Sequence, residues 1–301
     1  MGIIRRFRKH GYATVVGAAF IAALSQPAQA ASQTDTTPDA GAAAAHQFNE
    51  PGEPAAVVGH RGNSGVAPEN TMPAIASSVT SGADYVEIDI NYTADGEIVA
   101  LHDETVDRTT DGTGNVRELT YDDVSTLDAG SWFHPSYAGT PVPHFRDVLA
   151  YVSHTGAQML LEYKDDWGQE EVAASAELIE EYGVADQVIV QSFDLTTVEN
   201  LQQQLPEVPR MVLGNITADA IDTAHALGAI GYNPSVADVL ENPEWVQEAN
   251  EAGLAAFVWT VNDEQQWEAL TEIGVEAIIT DHPNDLIWWN ASQARPPHPQ
   301  G

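Results

Sequence analysis

The chain has 301 residues, enough for one large domain, and its 43% hydrophobic content is ordinary for a globular protein with a buried core. It contains no cysteine, which excludes disulfides, thiolate metal sites and cysteine nucleophiles. Asp and Glu number 45 against 11 Lys and Arg, for a formal net charge of −34. A field of that sign repels nucleic acid, so we expect no nucleic-acid partner.

The first thirty residues have the pattern of a secretory signal peptide. A positive head (Arg5, Arg6, Arg8, Lys9) precedes an apolar run from Ala13 to Leu24, and Ala28-Gln29-Ala30 is a small-residue cleavage pattern. Because the run is too short to span a bilayer, we predict a secreted protein, cleaved near Ala30, with no stable membrane insertion. Cleavage leaves seven basic against 45 acidic residues, a net charge of −38. We interpret this charge as adaptation to salty surroundings, where salt screens self-repulsion; a cationic partner is the alternative.

The rest of the chain divides into three segments. Residues 31–52 are rich in Ala, Thr, Pro and Asp with no apolar period, which predicts a flexible linker, and residues 291–301 are Pro-rich and polar, which predicts a disordered tail. Between them, residues 53–290 alternate short apolar runs with helical patterns, which predicts an α/β fold, an irregular TIM (β/α)8 barrel. The predicted strands cover about residues 56–60, 85–90, 98–102, 159–163, 188–191, 211–213, 230–232, 256–261 and 277–280.

Nine strands are one more than this barrel needs. Too few residues separate Tyr92 from Ile98 for a parallel crossover, so we expect an antiparallel hairpin about Asp95-Gly96. Helical patterns cover about residues 175–182, 195–205, 219–227, 243–252 and 264–273. The turn-rich stretch from about residue 104 to 145 is predicted to be an insertion over one barrel mouth.

Polar side chains stand at several predicted strand ends, where a β/α barrel builds its site. His60-Arg61-Gly62 follows the first strand, although alone it could be a capping pair. Glu87 and Asp89 alternate in the second strand and therefore share a face. If that face lines the barrel, a hard divalent cation with oxygen ligands is the natural partner; if it is exposed, the strand is an ordinary half-buried one. The hairpin would bring His102, at the end of the third strand, close to both carboxylates.

Glu162-Tyr163-Lys164 ends the fourth strand, and Lys164 is the only lysine after the signal peptide. Alternation places the carboxylate of Glu162 and the ammonium of Lys164 in one region, which favours a functional role. Trp259 ends a later strand and could stack on a substrate or pack in the core. Thr280-Asp281 could cap the helix that follows.

These blocks, in this order, resemble the glycerophosphodiester phosphodiesterase family from about Val57 to Leu286. The matching blocks are His60-Arg61-Gly62, Pro68-Glu69-Asn70-Thr71, Glu87-Ile88-Asp89, His102-Asp103, Asp107-Arg108-Thr109-Thr110, Leu127-Asp128-Ala129-Gly130-Ser131-Trp132, Glu162-Tyr163-Lys164, Gln191-Ser192-Phe193, Trp259-Thr260-Val261-Asn262 and Thr280-Asp281-His282-Pro283. The resemblance implies a β/α barrel with a segment inserted after the second histidine. It also implies metal-dependent hydrolysis of glycerophosphodiesters, a small-molecule substrate class, to glycerol 3-phosphate and an alcohol.

The resemblance further implies roles for individual residues. The general acid and base would be His60 and His102. The ligands of one divalent metal ion, Ca²⁺ or Mg²⁺, would be Glu87, Asp89 and Glu162. The phosphate contacts would be Arg61 and Lys164, while Trp259 is a candidate substrate contact. Two positions depart from the family's pattern: Tyr163, where an aliphatic residue is common, and His144, where a threonine usually follows the proline.

Two alternatives remain on the sequence alone. The first is a related barrel phosphodiesterase that acts on a whole phospholipid, of the sphingomyelinase D or phosphoinositide phospholipase type. No long hydrophobic lip is visible for gripping a bilayer, and the acidic charge disfavours anionic membranes. The second is a non-catalytic binding protein, although no histidine or metal carboxylate is missing. The sequence leaves open the alcohol, the metal and the oligomeric state; Trp132, Phe133 and Trp259 could surround a choline or belong to the core.

Overall fold

The computed structural model describes residues 48–293; the predicted signal peptide, the linker up to residue 47 and the tail from residue 294 lie outside the described residues. Within this range, nine strands form one sheet. They are β1 (Ala56–Gly59), β2 (Tyr85–Tyr92), β3 (Ile98–Ala100), β4 (Met159–Tyr163), β5 (Val188–Ser192), β6 (Arg210–Leu213), β7 (Gly231–Asn233), β8 (Ala255–Val258) and β9 (Ala277–Thr280). All but β3 are parallel neighbours, and β1 pairs with both β2 and β9, which closes the barrel. The predicted α/β barrel is therefore confirmed.

Helices connect the strands. They are α1 (Met72–Ser81), α2 (Tyr121–Val124), α3 (Phe145–Thr155), α4 (Gln169–Tyr182), α5 (Leu195–Gln204), α6 (Ala220–Ala226), α7 (Val236–Glu241), α8 (Glu244–Glu251), α9 (Glu264–Ile273) and α10 (Pro283–Gln293). The sequence patterns predict α4, α5, α6, α8 and α9 but not the others. In the part of the chain that the structure describes, no helix has both the length and the apolar character needed to cross a bilayer.

Both predicted boundaries of the barrel need correction. Asn49 Nδ2 donates to the carbonyl of Val275 at 2.9 Å, and Gly52 N donates to the carbonyl of Thr271 at 2.8 Å. Residues 49–52 therefore lie against the barrel rather than in the linker. At the other end, α10 continues to Gln293, three residues beyond the predicted end of the barrel at residue 290.

Alternating side chains give the strands an inner and an outer apolar layer. The inner layer includes Val58, Leu160, Met211, Phe257, Ala277 and Ile279. Tyr163 belongs to the outer layer, where its hydroxyl lies 2.8 Å from Ser175 Oγ of α4 and its ring packs edge-on against Trp167. This aromatic residue therefore fills space between β4 and the helices, on the face opposite to that of Glu162.

The predicted hairpin is present. Ile90, Asn91 and Tyr92 of β2 pair antiparallel with Ala100, Val99 and Ile98 of β3. β2 also pairs in parallel with β4, and this register places Asp89 directly opposite Glu162. Leu101 N donates to the carbonyl of Asp89 at 3.1 Å, so the chain leaving β3 carries His102 to the level of the strand carboxylates.

The segment between β3 and α3 forms a small subdomain with its own apolar core. This core contains Val99, Leu101, Val106, Val116, Val124, Ala129 and Val142. The segment rejoins the barrel where Ala100 N donates to the carbonyl of Pro143 at 2.9 Å. Tyr137 Oη donates to the carbonyl of Val66 at 3.0 Å, which holds the subdomain against the loop between β1 and α1.

His144 begins α3 by capping it. Its Nδ1 accepts from Arg146 N at 3.0 Å, its Nε2 lies 2.8 Å from Glu97 Oε2, and its ring packs edge-on against Tyr121. Threonine is also a good N-cap residue, so the imidazole performs the local task that the family's threonine can perform. The departure at this position therefore preserves the start of the helix.

Replacing the cap should have a graded effect on stability. We expect His144→Ala to lower the free energy of unfolding by about 0.5–2 kcal/mol, since it leaves an N–H of the first turn without its partner. His144→Thr retains a capping oxygen and should lose less. Urea unfolding followed by circular dichroism measures both variants. Equal destabilisation by alanine and threonine would show that the contact with Glu97, rather than the cap, is what matters.

Candidate active site at the carboxyl ends of the strands

Three buried carboxylates face one another inside the barrel. Glu87 and Asp89 come from β2 and Glu162 from β4, and an oxygen of each lies within 4.8 Å of the others. Burial, followed by the charges of Asp89 and Glu162, raises the pKa of Glu87 well above its usual value. The pKa of Glu162 rises to about 7, again mainly through burial and then through Asp89. Three buried acids clustered in this way could hold a metal ion, whose charge would offset their repulsion.

One carboxylate oxygen in this cluster is a candidate ligand for a metal ion. Glu87 Oε2 accepts from Arg61 N at 2.6 Å, but its buried Oε1 has no hydrogen-bond partner among residues 48–293. A buried carboxylate oxygen without a partner is costly. The donor set is oxygen only, as Ca²⁺ and Mg²⁺ prefer, so these residues fit a hard divalent ion.

Asp89 is held in place by an asparagine. Asn70 Nδ2 donates to Asp89 Oδ2 at 2.8 Å, and Asn70 Oδ1 accepts from Asp89 N at 3.0 Å. Burial raises the pKa of Asp89, but the positive field of Arg61, His102 and Lys164 outweighs it and leaves this pKa below its usual value. Of the three acids, Asp89 is therefore the one held ionised by its own surroundings.

Lys164 lies between the carboxylates and a histidine. Its Nζ donates to Glu162 Oε1 at 2.6 Å, lies 3.9 Å from Asp89 Oδ1, and lies 3.2 Å from His102 Nε2. Burial lowers the pKa of Lys164, but Glu162 and Asp89 outweigh it and the pKa is raised. The ammonium is thus a fixed positive charge next to His102.

The two histidines share one arrangement. His60 Nδ1 lies 2.6 Å from Asp281 Oδ1, and His102 Nδ1 lies 2.7 Å from Asp103 Oδ1. A carboxylate is an acceptor only, so we assign the ring proton of each neutral imidazole to Nδ1. Nε2 is then the atom that each ring offers to a substrate. Burial, more than any other cause, lowers the pKa of His102.

Asp281 is a residue whose role the sequence analysis missed. It accepts from Ser64 Oγ at 2.8 Å and from Asn262 Nδ2 at 2.6 Å while it orients His60. Burial raises the pKa of Asp281, but these hydrogen bonds and His60 hold it well below its usual range. The sequence signal for this role is the position of Asp281 directly after an apolar strand, and the same position also fits a helix cap.

Arg61 reaches the site through an unusual backbone conformation. Its φ of 52° lies in the left-handed region, and its N–H donates to Glu87 Oε2 at 2.6 Å. Gly62, at φ 86°, lies so close to α1 that a Cβ there would overlap the Ala74 backbone. The guanidinium donates to Glu69 Oε1 at 2.8 Å, and its Nε lies 3.4 Å from Asp89 Oδ2. A positive φ at a residue other than glycine is strained and is common at functional sites.

These residues line a pocket of about 100 Å³. Its lining consists of His60, Arg61, Glu87, His102, Glu162, Lys164, Gln191, Phe193, Leu213, Trp259, Thr260 and Ile279. Seven of the eight predicted site residues are in this lining. The eighth, Asp89, belongs to the carboxylate cluster, whose other two members line the pocket. A larger apolar groove, of about 630 Å³, lies beside α4, and its lining contains no histidine and no basic residue.

Aromatic side chains form one wall of the pocket. The rings of Phe193 and Trp259 pack edge-on with centroids 5.4 Å apart, and Trp259 Nε1 donates to the carbonyl of Asn233 at 2.8 Å. Lys164 Nζ lies 5.7 Å from the centroid of Phe193. Trp132 and Phe133 also pack edge-on against each other, but neither lines this pocket.

Comparison with known proteins gives a consistent result. The profile of the Glycerophosphoryl diester phosphodiesterase family matches residues 60–285. A glycerophosphodiester phosphodiesterase of Caldanaerobacter subterraneus is 33% identical over 236 residues, which cover 77% of this chain and 96% of the relative. Another, of Bacillus subtilis, is 32% identical over 246 residues, which cover 75% and 83%.

Solved structures show the same similarity. An Oleispira antarctica phosphodiesterase, in complex with the product sn-glycerol-3-phosphate, superimposes with a TM-score of 0.75 at 28% identity, over 79% of this chain and 96% of that one. A glycerophosphodiester phosphodiesterase from Agrobacterium tumefaciens superimposes with a TM-score of 0.68 at 30% identity, over 76% and 97%.

Proposed function

This chain belongs to the glycerophosphoryl diester phosphodiesterase family and is a phosphoric diester hydrolase, and we propose that it cleaves glycerophosphodiesters to glycerol 3-phosphate and an alcohol with one divalent metal ion and two histidines. The observation that carries the proposal is the pair of carboxylate-bound imidazoles, His60 and His102, in one pocket with three clustered acids. The product bound to the Oleispira antarctica relative supports the assignment of glycerol 3-phosphate.

Glu87, Asp89 and Glu162 are the proposed metal ligands, and the unpaired Glu87 Oε1 is the atom that most needs the ion. When bound, a divalent ion would neutralise charge that develops on the phosphoryl oxygens. Asn70 keeps the Asp89 carboxylate in its orientation through two hydrogen bonds. All three acids are buried, which strengthens their interaction with a bound cation.

The histidines are proposed to move the protons. Nε2 of one ring accepts the proton of the attacking hydroxyl, which belongs to the substrate's own glycerol or to water, as its oxygen bonds to phosphorus. The other ring enters the step as an imidazolium, protonated at both nitrogens, and its Nε2 donates a proton to the alcohol oxygen as the bond from that oxygen to phosphorus breaks. Asp281 and Asp103 keep Nδ1 protonated in both rings, so that Nε2 faces the reaction. If the first step forms a cyclic phosphate, water opens it with the two roles exchanged.

Two cations are proposed to hold the phosphate. Arg61 can bind non-bridging oxygens with its guanidinium, for which Glu69 and Asp89 now compete. Lys164 supplies a compact charge next to His102 and Glu162. Phe193 and Trp259 then provide an apolar wall for the carbon atoms of the substrate.

The proposal is tested by direct assay of the purified mature protein. We expect release of glycerol 3-phosphate from glycerophosphocholine in Ca²⁺ or Mg²⁺ and no release with chelator, since the three acids then lack their cation. Parallel assays in low and high salt test whether the acidic surface reflects salt adaptation. Lysophospholipid and phospholipid vesicles serve as the other substrates. If the protein hydrolyses only the lipids of the vesicles, its substrate is a whole lipid rather than a soluble glycerophosphodiester. Hydrolysis that persists in chelator would contradict the proposed metal site.

A further inference from the structure

Arg108 joins two loops at the edge of the pocket. Its Nε and Nη2 donate to both carboxylate oxygens of Asp103, at 2.6 and 3.0 Å. Its Nη1 and Nη2 donate to both oxygens of Glu69, each at 2.8 Å. Asp103 follows β3, whereas Glu69 lies between β1 and α1. One planar guanidinium therefore fixes two carboxylates from separate parts of the chain in bidentate pairs.

Each of these carboxylates contacts a residue of the proposed reaction. Asp103 Oδ1 lies 2.7 Å from His102 Nδ1, and Glu69 Oε1 accepts from Arg61 Nη1 at 2.8 Å. A continuous chain of charged hydrogen bonds thus connects the His102 imidazole to the Arg61 guanidinium, with Arg108 at its centre. Arg108 is not in the lining of the pocket, so any effect it has on the reaction is exerted through these neighbours.

We propose that Arg108 is a positioning residue that fixes the His102 ring and the Arg61 guanidinium relative to each other. The inference rests on the roles proposed above for His102 and Arg61. Loss of Arg108 has a separate consequence on each side. Asp103 loses the group that sets its orientation, so His102 is misaligned and kcat falls. Glu69 keeps its hold on Arg61 without a competing cation, so Arg61 is less available to phosphate and KM rises.

Stability alone does not account for this arrangement. The Arg108 side chain is 45% exposed, which limits what each of its ion pairs adds to stability, although bidentate pairs in a network add more than a single exposed pair. Other groups hold the local turn: Asp107 Oδ2 accepts from Gly114 N at 2.8 Å, and Thr110 Oγ1 donates to the carbonyl of Val106 at 2.6 Å. The planar guanidinium of Arg108 holds the two negatively charged carboxylates, Asp103 and Glu69, at a fixed separation.

The test compares two variants with a matched control. We expect Arg108→Ala to lower kcat/KM about 10- to 100-fold, the range for loss of a supporting hydrogen-bond partner, through a lower kcat and a higher KM together. Arg108→Lys should recover little, because an ammonium cannot form both bidentate pairs. Guanidinium ion, below denaturing concentration, should restore part of the activity of Arg108→Ala, whereas ammonium at equal ionic strength should not. The control is Arg146→Ala, which removes an arginine 44% exposed and paired with Glu181, away from the pocket.

The outcomes separate this inference from the function on which it rests. If Arg108→Ala unfolds at the wild-type temperature and shows wild-type kcat and KM, the positioning role is wrong while the hydrolase stands. If kcat alone falls, in proportion to lost folded protein and without guanidinium rescue, Arg108 is structural. If wild type itself turns over no glycerophosphodiester, the function and this inference both fail.

Discussion

Replacement of His102 by alanine should lower kcat for glycerophosphocholine hydrolysis by about 10²- to 10⁴-fold, the usual contribution of a positioned acid or base. The reason lies in the ring's surroundings. Its Nδ1 is committed to Asp103, and its Nε2 lies 3.2 Å from Lys164 Nζ in the pocket. Alanine removes the only atom at this position that can exchange a proton with a bound substrate. Steady-state kinetics across a range of substrate concentrations measures the loss.

The fold should survive this substitution. Asp103 remains bound by Arg108, and Leu101 remains hydrogen-bonded to the backbone of β2, so the local chain keeps its supports. His154, exposed in the last turn of α3, provides the control, and His154→Ala should retain wild-type kcat. A folded His102→Ala protein with full activity would remove this residue from the mechanism and leave His60 as the one histidine of interest.

The barrel was predictable because its strands carry a strong local signal. Parallel strands buried on both faces read as continuous apolar runs, and the short link after Tyr92 permits only a hairpin. Of the helices that were not predicted, α3 does carry a local signal, since its buried Phe145, Val148, Leu149 and Val152 recur at helical spacing, but α1 does not. Helix α1 is rich in Ser and Thr, whose helix propensity is low, and its small side chains give a faint apolar face. It is helical because Ala74 and Ile75 are buried, which is tertiary information that no local window contains.

The sequence predicted most of the polar side chains that line the pocket, but not the side chains that orient them. Glu87 and Asp89 share a face by alternation alone, but only the structure shows that this face is the inner one. Asp281 lies 221 positions from His60 along the chain and reaches it because β9 pairs with β1 in the closed barrel. Contacts of this kind depend on barrel closure and register, so a single sequence could not reveal them. The same applies to Asn70, which fixes Asp89 from the loop before α1.

Replacement of Glu87 by glutamine should weaken metal binding and activity while the protein stays folded. The amide has nearly the same shape and can still accept from Arg61 N, but it cannot take the negative charge that burial and the two neighbouring acids disfavour. We expect Glu87→Gln to keep or raise the melting temperature in chelator, since neutralising a buried unpaired acid relieves its cost. Its activity should fall about 100-fold or more, because the ion supplies several kcal/mol to the transition state.

Thermal unfolding at increasing Ca²⁺ or Mg²⁺ distinguishes this result from ordinary damage. At a metal concentration 100 times Kd, wild type should gain about 2.7 kcal/mol, and Glu87→Gln should gain much less. Glu276 is the matched control: its carboxyl also has its pKa raised by burial and an unpartnered Oε1 within the described chain, but it precedes β9 at the opposite end of the barrel. Glu276→Gln should therefore keep the full metal response. If both glutamine variants respond to metal as wild type does, the ion binds elsewhere. The cluster of three carboxylates is then a buried acid network that binds no metal ion.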